Sequence, residues 1–539
     1  MRNYTTCIIL INLFLVSNLL PARNKDLVEA YVQYSIVIDS LPCANTLFIN
    51  VKDYGARGDG VTLNTRSIQA AIEACSKAGG GTVYFPSGKY LSGTIYLKSF
   101  VSLLLEAGAI LTGSKNITDY PATVSKIRSY TDNYTEKSLV YGEGLEHIAI
   151  IGQGTIDGNG ASFEYNGSYK NRPYMIRIIN CRKVLIRDVN LINSPMWVQH
   201  YLACEDVTID AVSVSSRVNK NNDGIDIDGC ENVRISNCLV FSEDDGIVLK
   251  STLDKVCKNV TITNCVISSM ENAFKMGTET NGGFQNIVFS NSTIYDTRRC
   301  GISLQLVDGG TLNDVSVSNI TMNNVDGAIS IRLGNRARPY IANMLKPDVG
   351  KLKNVIISNI QATNIGKIGC SVVGLTGHPV ENILLENIRI TFKGGGTPDL
   401  VSREIPEIAE AYPQYEMFGM LPAYGFYCRH AENVWFNHIE LYFDEPEARP
   451  AIVCDDINSL EFHSIKAMTT GMAPLFWFKN VSNAFVHSCM APVGTETFLQ
   501  VSGSGNKHIT LIGNDLSDAK NAVKLENNSV VFMDNNRMK

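Results

Sequence analysis

Residues 232–238 read NVRISNC, and residues 259–265 read NVTITNC. Each phrase alternates apolar and polar side chains, the period of a strand with one buried face. Each is short, rich in Val and Ile, and bounded by Asn, Gly or Ser. The same phrase stands as KVLIRDV at Lys183, DVTIDAV at Asp206, NIVFSNS at Asn286 and DVSVSNI at Asp314. It continues as NVIISNI at Asn354, NILLENI at Asn382, NVWFNHI at Asn433 and, more weakly, SLEFHSI at Ser459. The first five starts, at Lys183, Asp206, Asn232, Asn259 and Asn286, are almost evenly spaced.

One strand-forming unit per repeat at a near-fixed period of this size means a solenoid. Each strand pairs with its counterpart in the next repeat, so the sheets are parallel and the coils stack about 4.8 Å apart. The fold expected is all-β: a single-stranded parallel β-helix, right-handed by the connection rules. Propeller blades are the alternative, but they need about 40 residues each. An open solenoid end needs a cap. NTRSIQAAIEACSKAGG, from Asn64 to Gly80, supplies an N-terminal capping helix, with Ile68, Ala71, Ile72 and Cys75 on one face. Asn64 or Thr65 can cap its start and Gly79 can end it.

Two repeats are stretched. One lies between Asp314 and Asn354 and carries IRLGNRARPY; the other lies between Asn382 and Asn433 and carries KGGGTPDLVSREIPEIAEAYPQYEMFGMLPAYG. Long loops on a regular solenoid border its binding face. No second domain is visible: residues 49–539 read as one β-helix domain, behind a leader segment at 23–48.

The chain has 539 residues, 45% apolar and 19% charged, the balance of a globular protein. A net charge of −6 argues against a general nucleic-acid binder. It also argues against steering of an acidic polymer by bulk charge, while leaving room for a local basic site. Arg2 followed by CIILINLFLV, Cys7 to Val16, reads as an export signal over residues 1–22, too short to span a bilayer. No later stretch is a membrane helix, so an exported protein, periplasmic or secreted, without a membrane anchor is expected. The 14 cysteines contain no CxxC pair, which argues against zinc. Cys181, Cys204 and Cys230 open successive repeats, and a buried ladder of thiols is expected there rather than a disulfide framework. Asn-x-Ser/Thr sites such as Asn259 and Asn319 fall inside the repeat phrase, where an asparagine ladder explains them better than glycosylation.

Against this sparing use of charge, NNDGIDIDG (Asn221–Gly229) and SEDDGIVLK (Ser242–Lys250) concentrate acids. The step from Asp223 to Asp244 is close to one coil, so a β-helix puts them on neighbouring coils, with Asp245 beside them. Crowding three carboxylates opposes their ionisation. A fold does not need that, but catalysis can use it, with one carboxyl kept protonated while another activates water. Calcium ligation or solvated turns is the structural alternative, and fits Asp226 and Asp228.

At these residues the chain resembles glycoside hydrolase family 28, the polygalacturonases and rhamnogalacturonan hydrolases, whose solenoid is pectin-lyase-like. VKDYGARGDG at Val51 and GGGTVYFPSGKYLSGTIYLKS at Gly79 are similar to that family's first coils. GQGTIDGNG at Gly152, RPYMIRIINC at Arg172 and NSPMWVQH at Asn193 resemble the coils before its active site. NNDG at Asn221 matches its Asn-Thr-Asp-Gly motif with one change, and DDG at Asp244 matches its Asp-Asp motif. The resemblance spans roughly residues 49–441. It implies inverting hydrolysis of α-galacturonosidic bonds in a pectic polysaccharide or oligosaccharide, without a cofactor or metal, by a monomer. Asp244 would be the general acid, Asp223 and Asp245 would hold the water, and Asn221 would contact substrate. Acid and base in inverting enzymes stand about 6.5–9.5 Å apart.

The family pattern then breaks. Its Gly-His-Gly is MENAFKMGTETNGG here, which puts Asn272 at the His position. Its Arg-Ile-Lys, which holds a sugar carboxylate on the leaving side, falls on Ser303, Leu304 and Gln305 in CGISLQLVDGG. Ser303 and Gln305 suit a neutral sugar, so galacturonate–rhamnose bonds are expected to be favoured. If the alignment has slipped, Arg332 or Arg336 takes the cationic role and homogalacturonan is the alternative.

Lys250 shares a strand face with Asp244, and Lys275 follows Lys250 at close to one coil. Either the two ammonium groups bind the uronate carboxylate, or Glu279 and Asp245 neutralise them. The loop from Lys393 to Ala423, with Tyr412, Tyr415 and Phe418, can close one end of the groove, which favours exo action. His200 borders the cleft or packs inside; His378 lies several coils away. A β-helix lyase, which needs an Arg or Lys base and calcium, and a non-catalytic glycan-binding solenoid are the other classes.

Overall fold

The computed structural model describes residues 47–526 and 529–539. The expected export signal and nearly all of the leader lie outside the described residues. The first strand, Phe48–Asn50, pairs in parallel with Gly81–Phe85.

The chain winds as a right-handed parallel β-helix. The repeat phrases align coil on coil. Val184 stands on Val207, Val207 on Val233, Val233 on Val260, Val260 on Ile287 and Ile287 on Val315. The stack continues through Val355, Ile383, Val434 and Leu460. These side chains point inward and are buried, while their polar neighbours face out, as the two-residue period requires. Among the described residues no helix is long and apolar enough to cross a membrane.

The corners follow from asparagine chemistry. Asn232, Asn259, Asn286, Asn354, Asn382 and Asn433 all hold φ between 54° and 58°, a left-handed conformation that Asn tolerates better than most residues. Each amide also has both a donor and an acceptor, so it can hand a bond to the next coil. Asn259 Nδ2 donates to Asn232 Oδ1 at 3.0 Å, Asn286 to Asn259 at 2.9 Å, and Asn433 to Asn382 at 2.9 Å. Asn319 belongs to a second such ladder, between Asn291 and Asn359. The cysteines form the expected buried column: the backbone N–H of Cys181 faces Cys204 Sγ, and that of Cys204 faces Cys230 Sγ, with all three free.

The helix runs over Thr65–Lys77 and buries Ile68, Ala71, Ile72 and Cys75 against the first strands. Asn64 does not cap it through its side chain. That amide instead ties the preceding loop, accepting from Arg57 N and donating to Arg57 O and Thr62 O. At the other end Gly79 holds φ 95°, and Gly80 N–H reaches back to Cys75 O, while Gly79 N–H bonds Ser76 O. This is the six-to-one and five-to-two bonding of a glycine-terminated helix.

Candidate active site

Three successive strands carry the site: Ile225–Asp228, Ile247–Ser251 and Phe274–Thr280. Ile225 pairs with Ile247, and Ile247 with Phe274. Carried back two positions along each strand, the same register stacks Asp223, Asp245 and Asn272. Asp245, rather than Asp244, therefore stands at the register position next to Asp223, and Asp244 projects beside Asn221 instead. The glycines of both motifs have a reason. A Cβ on Gly224 would come within 2.6 Å of the Gly246 carbonyl, and one on Gly246 within 2.6 Å of the Ala273 carbonyl. Only Gly lets these turns stack so closely and bring their aspartates together.

Asp223, Asp244 and Asp245 each place one carboxylate oxygen within 4.8 Å of the others. This approach is closer than the spacing expected for an inverting acid and base. Asp245 is buried and fully bonded: Asn272 gives it its backbone N–H at 3.1 Å and its side-chain Nδ2 at 2.7 Å, and Lys275 Nζ lies at 2.7 Å. Burial would raise its pKa, but Lys275, Lys250 and the Asn272 bond outweigh this and hold it below the usual carboxylate value. Asp244 is half-buried. Burial first, then the Asp245 charge, push its pKa up to about 6. Asp223 is held well above the ordinary value by burial and by Asp244, and its Oδ1 has no hydrogen-bond partner among the described residues. One cluster thus holds an ionised carboxylate beside a carboxyl that keeps its proton into mildly acidic solution, the split that acid–base chemistry requires.

Lys250 and Lys275 are almost wholly buried and already matched. Lys250 Nζ lies 3.4 Å from both Asp223 Oδ2 and Asp226 Oδ1, 3.9 Å from Glu279, and over the Trp197 ring at 4.5 Å. Both lysines keep pKa values above the ordinary one: burial works against the charge, and the facing acids overcome it. The reading in which Glu279 and Asp245 neutralise the lysines is the one the geometry adopts.

The walls come from elsewhere in the chain. Tyr130, Asn133 and Tyr134 close one side, Tyr169 and Trp197 another, and Arg336, Arg338 and Tyr412 reach in from the two stretched repeats. Together they line a cavity of about 370 Å³ over the aspartates. Tyr412 OH lies 3.3 Å from Lys275 Nζ, and Arg299 ties the same loop down through Glu416 at 2.8 Å. Arg338 bridges Asp308 at 2.5 Å and Glu279 at 3.2 Å and stacks over Tyr130. A larger hollow of about 670 Å³, lined by Asn286, Asp314, Ile356 and Trp435, lies along the asparagine ladder and, among the described residues, has a lone carboxylate with no facing acid or base.

Three expected site residues lie elsewhere. Ser303 and Gln305 are fully buried, and Gln305 Nε2 donates to Ser303 Oγ at 2.8 Å. They do not line the cavity, so they cannot select a neutral sugar directly. Arg332 is spent on the loop, donating to Gly374 O and Glu407 O. Asn221 and Asn272 do reach the cluster, from Asp244 at 3.4 Å and Asp245 at 2.7 Å. His200 is packed inside on Asp228, and burial lowers its pKa. Tyr130, Asn133, Tyr134, Tyr169 and Arg338 are wall residues that sequence reasoning misses. Arg338 is visible in the first stretched repeat, but the tyrosines stand in loops with no repeat phrase to place them.

The profile of glycosyl hydrolases family 28 matches residues 75–406. A probable polygalacturonase of Vitis vinifera is 35% identical over 219 residues, 38% of this chain and 44% of that protein, so the match spans less than half of the relative's length. An exopolygalacturonase of Platanus acerifolia is 26% identical over 360 residues, 65% of this chain and 91% of that one. A hyperthermoactive exopolygalacturonase of Thermotoga maritima superposes with a TM-score of 0.56 at 25% identity, over 65% of this chain and 88% of that one.

Proposed function

The chain belongs to glycosyl hydrolases family 28, and from that premise we propose that it cleaves α-galacturonosidic bonds of pectic chains from their ends. The observation that carries the reading is the pairing of a raised carboxyl, Asp244, with a lowered one, Asp245, on the floor of a walled cavity. Asp244 donates its proton to the leaving oxygen. Asp245, with Asp223, holds the water that attacks the anomeric carbon. Lys275 and Asn272 keep Asp245 ionised and oriented for this. Inversion is part of this proposal on the resemblance alone, since the carboxylates approach more closely than an inverting pair is expected to.

Hydrolysis is favoured over elimination because a lyase needs a neutral base, while Lys250 and Lys275 are held protonated by their acids. Exo action is favoured because Tyr130, Tyr412 and Arg338, carried on segments outside the repeat phrases, stand as walls around the aspartates. A preference for galacturonate–rhamnose bonds remains part of the proposal: it rests on the absence of cations at Ser303 and Gln305, which, being buried, act through that absence and not by touching the sugar. An exported monomer with its signal over residues 1–22 completes the proposal; the N-terminal sequence of the secreted protein tests it.

Product analysis on defined homogalacturonan and rhamnogalacturonan oligosaccharides tests the activity. Single sugars released from chain ends, with the β anomer first seen by NMR and no effect of chelator, are expected. Unsaturated products or early mid-length fragments would overturn the hydrolytic or the exo reading respectively.

A further inference from the structure

The cavity is lined by four acids, Asp223, Asp244, Asp245 and Glu279, and by the cations Lys250, Lys275, Arg336 and Arg338. Three of those cations are already paired. Lys250 faces Asp223, Asp226 and Glu279; Lys275 faces Asp245; Arg338 faces Asp308 and Glu279. Arg336 differs. Its guanidinium lies over the Tyr412 ring at 4.9 Å, and its Nη1 is buried with no hydrogen-bond partner among the described residues. No carboxylate among the described residues forms an ion pair with it.

Leaving a buried N–H unpaired costs about 1–3 kcal/mol, and more for a charged group. A guanidinium is also flat, always charged, and presents two parallel donors that match a carboxylate. The other lining cations are committed to acids of the protein, which leaves Arg336 to attract an acidic sugar. The ring of Tyr412 holds the guanidinium plane, as aromatic faces do for arginine. Neither residue belongs to a repeat phrase; each reaches the cavity from a stretched repeat.

We propose that Arg336, held by Tyr412, recognises the carboxylate of the uronosyl ring bound in the cavity and so makes the site selective for acidic over neutral sugars. This deepens the galacturonide reading above and rests on it for the identity of the sugar.

The test measures binding, so that it stands apart from turnover. Digalacturonate and its methyl ester are titrated by calorimetry into Asp244→Asn and into Asp244→Asn/Arg336→Gln. A loss of about 10–100-fold in affinity for the acid, with the ester changed by less than about threefold, is expected for a charged hydrogen-bonded pair. An equal loss for acid and ester, or no loss, overturns the proposal. If Arg336→Gln fails to fold, Arg336→Lys serves: acid binding should weaken several-fold and ester binding should not, and the absence of an acid-specific loss overturns it. A wild-type enzyme that hydrolyses no galacturonide would overturn the function reading alone, provided Asp244→Asn still binds the acid more tightly than the ester through Arg336. Without that preference, the recognition proposal falls too.

Discussion

Lys275 Nζ stands 2.7 Å from Asp245 Oδ2, with both side chains almost wholly removed from solvent. The two residues lie on adjacent coils, and the pair sits directly under the cavity. Each is the reason the other can stay charged there. Removing one partner of a buried pair leaves an uncompensated charge and costs about 3–5 kcal/mol.

Lys275→Met should therefore lower the melting temperature and raise the pKa of Asp245, so that activity survives only at higher pH. Pairing it with Asp245→Asn should restore much of the stability and none of the activity. Thermal unfolding and a pH–rate profile check both; a folded Lys275→Met enzyme with an unshifted acid limb would sink the role given to Lys275.

Asp244→Asn should cut kcat by about 10²–10⁴-fold, the usual size of a general acid contribution. It should not weaken the fold. A carboxyl whose pKa is raised in the folded state stabilises the fold fully below its unfolded value of 3.8 and loses that contribution as pH rises through about 6. Because Asp244 is only half-buried, the gain in stability on substitution at pH 7 is small, on the order of 1 kcal/mol. Denaturant titration at pH 4 and pH 7 should show the benefit only at the higher pH.

The wild-type pH profile should be bell-shaped. Its acid limb lies below the ordinary carboxylate value, where Asp245 gains a proton, and its alkaline limb lies near 6, where Asp244 loses one. The pair titrates together, so the limbs are those of the cluster. Activity that keeps rising to pH 8 would contradict the assignment of Asp244 as acid.

Tyr412→Ala removes a wall and the support of Arg336 at once. Affinity for acidic ends should fall, and mid-length products should begin to accumulate from polymer, followed by chromatography. An unchanged product ladder would show that Tyr412 does not restrict access.

Asn259→Ala should destabilise more than Asn259→Gly. Both lose the ladder bonds to Asn232 and Asn286, but only Ala must hold φ 56° against its Cβ, which adds about 1–2 kcal/mol. Equal unfolding free energies for the two variants would remove the backbone explanation.

The sequence by itself determined the solenoid, its inward column from Val184 to Leu460, the asparagine corners and the neighbourhood of the three aspartates. All of these are periodic and local: a two-residue alternation fixes which face is buried, and a repeat of about one coil fixes what stacks on what. The tertiary structure decided the rest. The pairing of Ile225 with Ile247 set Asp245 rather than Asp244 at the register position next to Asp223. A single step of register is invisible in a repeat whose length varies, yet in a strand it turns a side chain to the other face. Which cations were already paired, and that Arg336 was not, depended on contacts such as that of Lys275 with Tyr412, far apart in the chain. Ser303 and Gln305 sit at positions that alternation could not tell from cavity positions, because burial there is set by neighbouring strands and loops. Ion pairing and the landing of long loops depend on distances across the folded coil, and no spacing along the chain encodes them.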